Sequence, residues 1–218
     1  MRRQHLASVA LTLLFASAAA AQAPRAVAPL TTVSIGPYFG LNYTTFYGDD
    51  DLEGTKSRTD IAVGGQVDFT LASTGFFRTG LIYSRRGAKG EEDGTQIALK
   101  LKYLEVPVLF GYRFPTSSGV KPYVMGGGHL AFKVGCSLEG SQGGISASID
   151  CDNPDFGADF KSFDVALVGG AGLAVPLGTN SLSFDLRYAQ GLMKIESESS
   201  TKNRGFTLGV ALMIPIGK

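Results

Sequence analysis

Few residues in this 218-residue chain could do chemistry, and they are thinly spread. Two histidines occur, and one of them, His5, falls in the leader described below, which leaves His129. A histidine acting as general acid or base needs a carboxylate or a serine within hydrogen-bond reach. Asp164 is the single good candidate partner, and the preferred reading of His129 is a hydrogen-bonded packing residue. Asp49, Asp50, Asp51 and Glu53 resemble a run of calcium ligands, but they lack the alternating spacing and closing glutamate of an EF-hand. They read as a solvated loop tip, as do Glu91, Glu92 and Asp93. The three glycines Gly126 to Gly128 open no helix and so cradle no phosphate; close packing of backbone explains them better. Cys136 and Cys151 share a segment without histidine, so they cannot complete a tetrahedral metal shell, and a disulfide is the default pairing. No catalytic, cofactor-binding or metal-ligating residue is assigned, and no cofactor is expected.

The elements that must position these side chains show in the alternation of large apolar residues with small or polar ones. In the last stretch Phe206, Leu208, Val210, Leu212, Ile214 and Ile216 share one phase, and Thr207, Gly209, Ala211 and Met213 the other. A period of two sends these sets to opposite faces of a β-strand. Bulky apolar residues outside and small or polar ones inside suit a strand with lipid as its outer solvent and a narrow, filled lumen. The expectation is an all-β fold, an eight-stranded antiparallel up-and-down transmembrane β-barrel.

Met1-Arg2-Arg3 followed by an apolar run from Leu6 to Ala21 reads as a secretory signal peptide, cleaved after Ala21. The division expected is a leader at 1–21, a short periplasmic segment at 22–30 and the barrel at 31–218. Loss of Arg2 and Arg3 takes the formal charge from +1 to about −1. Neither strong charge nor basic clustering points to nucleic acid. After the leader there is no apolar segment long enough for a spanning helix, while 29 glycines, 14 Phe and 8 Tyr suit a barrel wall.

Alternation places strands at about 33–44, 59–71, 76–86, 96–114, 122–135, 162–176 and 181–195, with the eighth ending the chain. Long loops follow the odd strands, including 87–95, and short turns the even ones. That puts the turns and both chain ends in the periplasm and the loops outside. In the fourth strand Ile97, Leu99, Leu101 and Tyr103 share one phase, while Leu104, Val106, Val108, Phe110 and Tyr112 share the other. One extra residue would cause such a slip, so a β-bulge is expected near Tyr103-Leu104, and Pro107 suits a locally broken ladder. The charges in phase with the glycines are Asp68, Arg78, Lys100, Lys102, Glu105, Arg113, Lys133, Asp164, Asp185 and Arg187. With His129 they form the expected lumen network, since eight strands leave room for little more than side chains.

Three blocks carry a family resemblance: Gly36-Pro37-Tyr38-Phe39-Gly40-Leu41-Asn42, Tyr83-Ser84-Arg85-Arg86-Gly87 and, above all, Tyr103-Leu104-Glu105-Val106-Pro107-Val108-Leu109. Lys121-Pro122-Tyr123 and Asp185-Leu186-Arg187-Tyr188 extend it over nearly the whole mature chain. The chain thereby resembles the PorT-like branch of the outer membrane protein beta-barrel domain family in the porin superfamily. That resemblance implies an eight-stranded barrel in the Gram-negative outer membrane and carries over no catalytic residue. One departure is the chain end Ile214-Pro215-Ile216-Gly217-Lys218, where outer-membrane barrels commonly place an aromatic residue. The function expected is a non-catalytic structural or interaction role through the outer loops. The alternatives are a narrow ion or small-solute channel and a rim enzyme using His129. Expected partners are outer-membrane lipid and lipopolysaccharide, the barrel assembly machinery and a protein bound by the outer loops; the chain is expected to act as a monomer.

Overall fold

The computed structural model describes residues 30–48, 55–92, 94–143, 145–151, 153, 160–196 and 200–216. The leader, the cleavage position and the acidic tip Asp49 to Glu53 lie outside them. Nine strands follow one another: β1 (Leu30–Tyr47), β2 (Lys56–Leu71), β3 (Gly75–Glu92), β4 (Thr95–Arg113), β5 (Lys121–Gln142), β6 (Ile145–Ile149), β7 (Phe163–Leu177), β8 (Asn180–Gly191) and β9 (Lys202–Ile216). Eight of them form a ring. Sequence neighbours pair antiparallel, β1 closes on β9, and β5 pairs with β4 on one side and β7 on the other. The ninth, β6, folds back on the outer end of β5 as a hairpin, pairing Leu138 with Ile149.

The outer wall carries the apolar phase. Ile35, Phe39, Leu81, Phe110, Leu167, Leu186 and Leu208 are among the large apolar side chains left exposed. From Val33 to Tyr43 on β1, or Phe206 to Ile216 on β9, about ten residues at ~3.3 Å each and a tilt of ~40° span about 25 Å, the height of a lipid-facing band. Aromatic rings rim it at both levels. At the outer rim Tyr188 stacks on Phe206 with centroids 5.0 Å apart and Phe132 on Phe163 at 5.2 Å. At the inner rim Phe77 touches Phe69 and Phe110 at 5.8 and 5.1 Å. Amphipathic rings at the two interfaces are what a membrane-spanning barrel places there.

Glycine on the inner face makes room for the few large side chains inside. A Cβ on Gly111 would lie 2.2 Å from Phe76 Cζ, and one on Gly172 2.5 Å from Tyr123 Cζ. Each glycine is the socket of one ring.

Two expectations are corrected here. The segment 87–95 is no long loop: β3 runs to Glu92 and β4 starts at Thr95, so the pair stands above the lipid band and turns at Gly94, whose φ of 73° favours glycine. The bulge lies at the expected height, but on the neighbouring strand. The register shifts between Lys102 and Tyr103, but Val134 of β5 is the extra residue, because Lys102 pairs with Gly135 and Tyr103 with Lys133. β4 keeps one phase throughout, with Leu101, Tyr103, Glu105 and Leu109 all buried inside. What changes along β4 is the solvent. Above the membrane no lipid rewards an outward apolar side chain, so the apolar residues turn inward there. Pro107, lacking an N–H, does sit in a gap of the β3–β4 ladder, between the rungs Arg78–Leu109 and Ile82–Glu105.

Candidate functional site

Alternation on β2, β3, β4, β5 and β8 brings Asp68, Arg78, Arg113, Tyr123, Asp185 and Arg187 into the half of the lumen nearer the short turns, the half expected to face the periplasm. Arg78 donates from Nε and Nη2 to the two oxygens of Asp68 at 2.8 and 3.0 Å, and from Nη1 to Asp185 at 2.9 Å. Arg187 grips Asp185 with Nε and Nη2 at 2.7 and 3.0 Å and also donates to Gln66 Oε1 at 2.8 Å. Arg113 donates to Asp68 at 2.7 Å, and the Tyr123 hydroxyl donates to Asp185 at 3.0 Å. Aromatic faces cover the cations: Arg187 lies 4.8 Å from the Tyr38 ring centre, and Arg78 lies 5.1 Å from that of Phe76. Paired charges with their remaining donors engaged are the form in which ions tolerate burial. Arg78 is 1% exposed, so the network fills the cross-section.

Above it lie Arg86, Glu105, His129 and Asp164. Arg86 Nε sits 2.7 Å from Glu105 Oε1. Among the described residues His129 Nε2 has no hydrogen-bond partner, and the Asp164 carboxylate receives Asn203 Nδ2 at 3.2 Å instead of the imidazole. The His129–Asp164 pair expected for acid–base work is not formed. His129 instead borders a cavity of about 30 Å³ shared with Tyr38, Asn42, Arg86, Glu105 and Arg187, room for about one water. A larger cavity, about 320 Å³, opens at the periplasmic mouth between Arg113, Lys121 and Asp68.

The outer end is closed by an apolar layer of Phe46, Leu101, Tyr103, Ala131, Ile195 and the bridged pair Cys136–Cys151. The cysteines stand 5.3 Å apart at Cα, on the rung beyond Leu138–Ile149, so the bridge ties the β5–β6 hairpin into this layer. Lys133 points the same way, with Nζ 5.7 Å from the Phe160 ring centre.

Lys100 and Lys102 do not belong to the lumen network. β4 keeps its phase, so both stand on the outer wall, alternating with the buried Leu101 and Tyr103, and Lys100 pairs with Glu139 of β5. Nearby Lys56 donates to Glu91 at 2.9 Å and holds that exposed carboxyl below the usual carboxylate range. Several lumen residues escaped the charge-based reading. Arg86 was visible as the inward neighbour, at period two, of Ser84, Ile82 and Arg78. Gln66, Tyr38 and Asn42 are uncharged and gave no signal beyond sharing the glycine phase.

OprG, an outer membrane protein of Pseudomonas aeruginosa, superposes at a TM-score of 0.50 with 13% identity over 87% of this chain and 97% of its own. Neisserial surface protein A gives 0.48 with 14% identity, covering 83% and 97%. Ail, the attachment invasion locus protein of Yersinia pestis, gives 0.43 with 16% identity, covering 85% and 100%. At these identities the likeness concerns the fold alone. No curated protein matches the chain. The family model described as outer membrane protein beta-barrel domain matches residues 20–197, which takes in most of the ring just described, and the chain belongs to that family of the Gram-negative outer membrane.

Proposed function

We propose that this protein is a closed, non-catalytic barrel that anchors an interaction surface at the outer face of the membrane. After export through its N-terminal leader and insertion by the barrel assembly machinery, it stands as a monomer and meets lipid with its wall and a partner with its outer loops. The observation that carries this reading is the double closure of the lumen. A buried guanidinium–carboxylate network fills the periplasmic half, and an apolar, disulfide-tied layer seals the outer end. Between them is space for about one water, too little for a continuous aqueous path. The imidazole of His129 lies inside this sealed region, beside Glu105 on the wall of the small cavity and away from the rim, which argues against the rim-enzyme alternative. Likeness of the block from Tyr103 to Leu109 to the PorT-like branch favours placement in that branch. The test is single-channel recording on refolded mature protein in a planar bilayer, after a cold-versus-boiled gel shift has verified folding. Silence from folded protein is expected. Steady ohmic steps would replace this reading with a narrow channel filtered by the lumen charges.

A further inference from the structure

The outer wall of β3 and β4 carries like charges directly opposite one another. Arg85 pairs with Lys102 across the ladder, and Lys56 with Lys89 on the neighbouring β2–β3 ladder. Such pairs repel and destabilise a sheet unless something anionic lies over them. Three carboxylates are near: Glu91 holds Lys56, Glu139 holds Lys100 and Asp60 holds Arg58. Among the described residues no carboxylate forms an ion pair with Arg85, Lys89 or Lys102, although Asp60 and Glu139 stand close enough to act on Arg85 and Glu91 on Lys89, and Arg85 donates only to the Tyr83 hydroxyl, at 3.4 Å. The floor between these cations is small-residue backbone: Gly87 opposite Lys100, Ala98 opposite Lys89, and Gly135 opposite Lys102. A Cβ on Gly135 would approach Lys102 Cδ to 3.2 Å, so glycine there lets the lysine stem lie flat along the wall. Depth narrows the occupant. The Arg85–Lys102 rung lies two residues outward of the Tyr83–Leu104 rung, which is level with the ring of Phe132. Two residues at ~3.3 Å and a tilt of ~40° amount to about 5 Å, the headgroup layer just beyond the hydrocarbon.

We propose that Arg85 and Lys102, backed by Lys89, form a binding site on the barrel wall for the phosphate groups of lipopolysaccharide in the outer leaflet. Continuity decides for lipid over a soluble acidic partner, because the site runs without a break into the apolar band below, where Leu81, Val108 and Phe110 are exposed. A bidentate guanidinium beside a flexible ammonium is the pair of donors a phosphate monoester takes. The site needs the wall at its membrane depth but not a closed lumen, so a conducting barrel would leave it standing.

The test uses the refolded mature barrel in phosphatidylcholine bilayers, titrated with diphosphorylated lipopolysaccharide, its dephosphorylated form, or phosphatidylglycerol, with retained lipid counted by native mass spectrometry. Diphosphorylated lipopolysaccharide is expected to be retained in preference to the other two. The R85Q/K102Q pair is expected to lose about thirtyfold in affinity, as for two cations worth about 1 kcal/mol each beside an anionic membrane surface. R85K/K102R keeps both charges and is expected to retain binding. Lys121→Gln at the periplasmic mouth and Lys202→Gln on the opposite wall are expected to change nothing. Equal retention of dephosphorylated lipopolysaccharide or of phosphatidylglycerol overturns the proposal, as does undiminished binding by a folded R85Q/K102Q barrel or an equal loss in the two controls.

Discussion

At the scale of single residues, Arg78 decides most. Among the described residues it is the one guanidinium bonded to both Asp68 and Asp185, the two carboxylates of the lower network, and no other cation reaches across the lumen in this way. Removing one partner from a buried ionic pair leaves an uncompensated charge, which costs far more than the pair itself contributes. Arg78→Met is therefore expected to destabilise the refolded barrel by about 3 kcal/mol, the low end of the range for breaking a buried pair, because Arg113 and Arg187 still serve the two carboxylates. Urea unfolding in lipid vesicles followed by tyrosine emission checks this, and the absence of tryptophan keeps that signal clean. A loss below about 0.5 kcal/mol, the scale of an ordinary surface substitution, would show that the network is not a stabilising plug. The charged members of this network were legible in the sequence because a period of two gives each residue a side. Their pairing was not, since Arg78 and Asp185 lie 107 positions apart and only closure of the ring sets them face to face.

At the scale of elements, β4 and the β5–β6 hairpin carry the lesson. Expecting a bulge on β4 treated every apolar residue as lipid-facing, a rule that holds only inside the membrane. Above it the outward side is water, the inward side is a dry layer around Leu101 and Tyr103, and the pattern inverts while the side chains of β4 keep their phase. The hairpin hangs on its disulfide, whose Cys151 lies two residues beyond a strand exposed at every position. A closed loop of this size is worth about 3 kcal/mol by chain entropy. In Cys136→Ser/Cys151→Ser, or in the reduced wild type, the hairpin is expected to be cut by added protease in intact cells while the eight-stranded body still shows its gel shift. Survival of the hairpin without the bridge would mean that the apolar layer alone holds it.

At the scale of the whole molecule, topology follows from an even ring: turns such as Ala72 to Thr74 share one end with the start of β1 and the end of β9, and the hairpin lies at the other. Ile145→Cys, in the background lacking both native cysteines, is expected to react with a membrane-impermeant maleimide in intact cells, and Ser73→Cys only after permeabilisation. The reverse pattern would invert the barrel and remove the basis for both proposals. Sequence by itself determined the strand periodicity, the lipid-facing set on most strands, the side taken by most of the inward charges and the number of strands in the ring. Each of these is a local or period-two property that survives without knowledge of neighbours. Tertiary structure alone decided how far the strands rise above the membrane, which of the lysines face outward, and that His129 and Asp164 stay apart. Those depend on depth and on contacts across the lumen, and a chain acquires both only when its first strand meets its last.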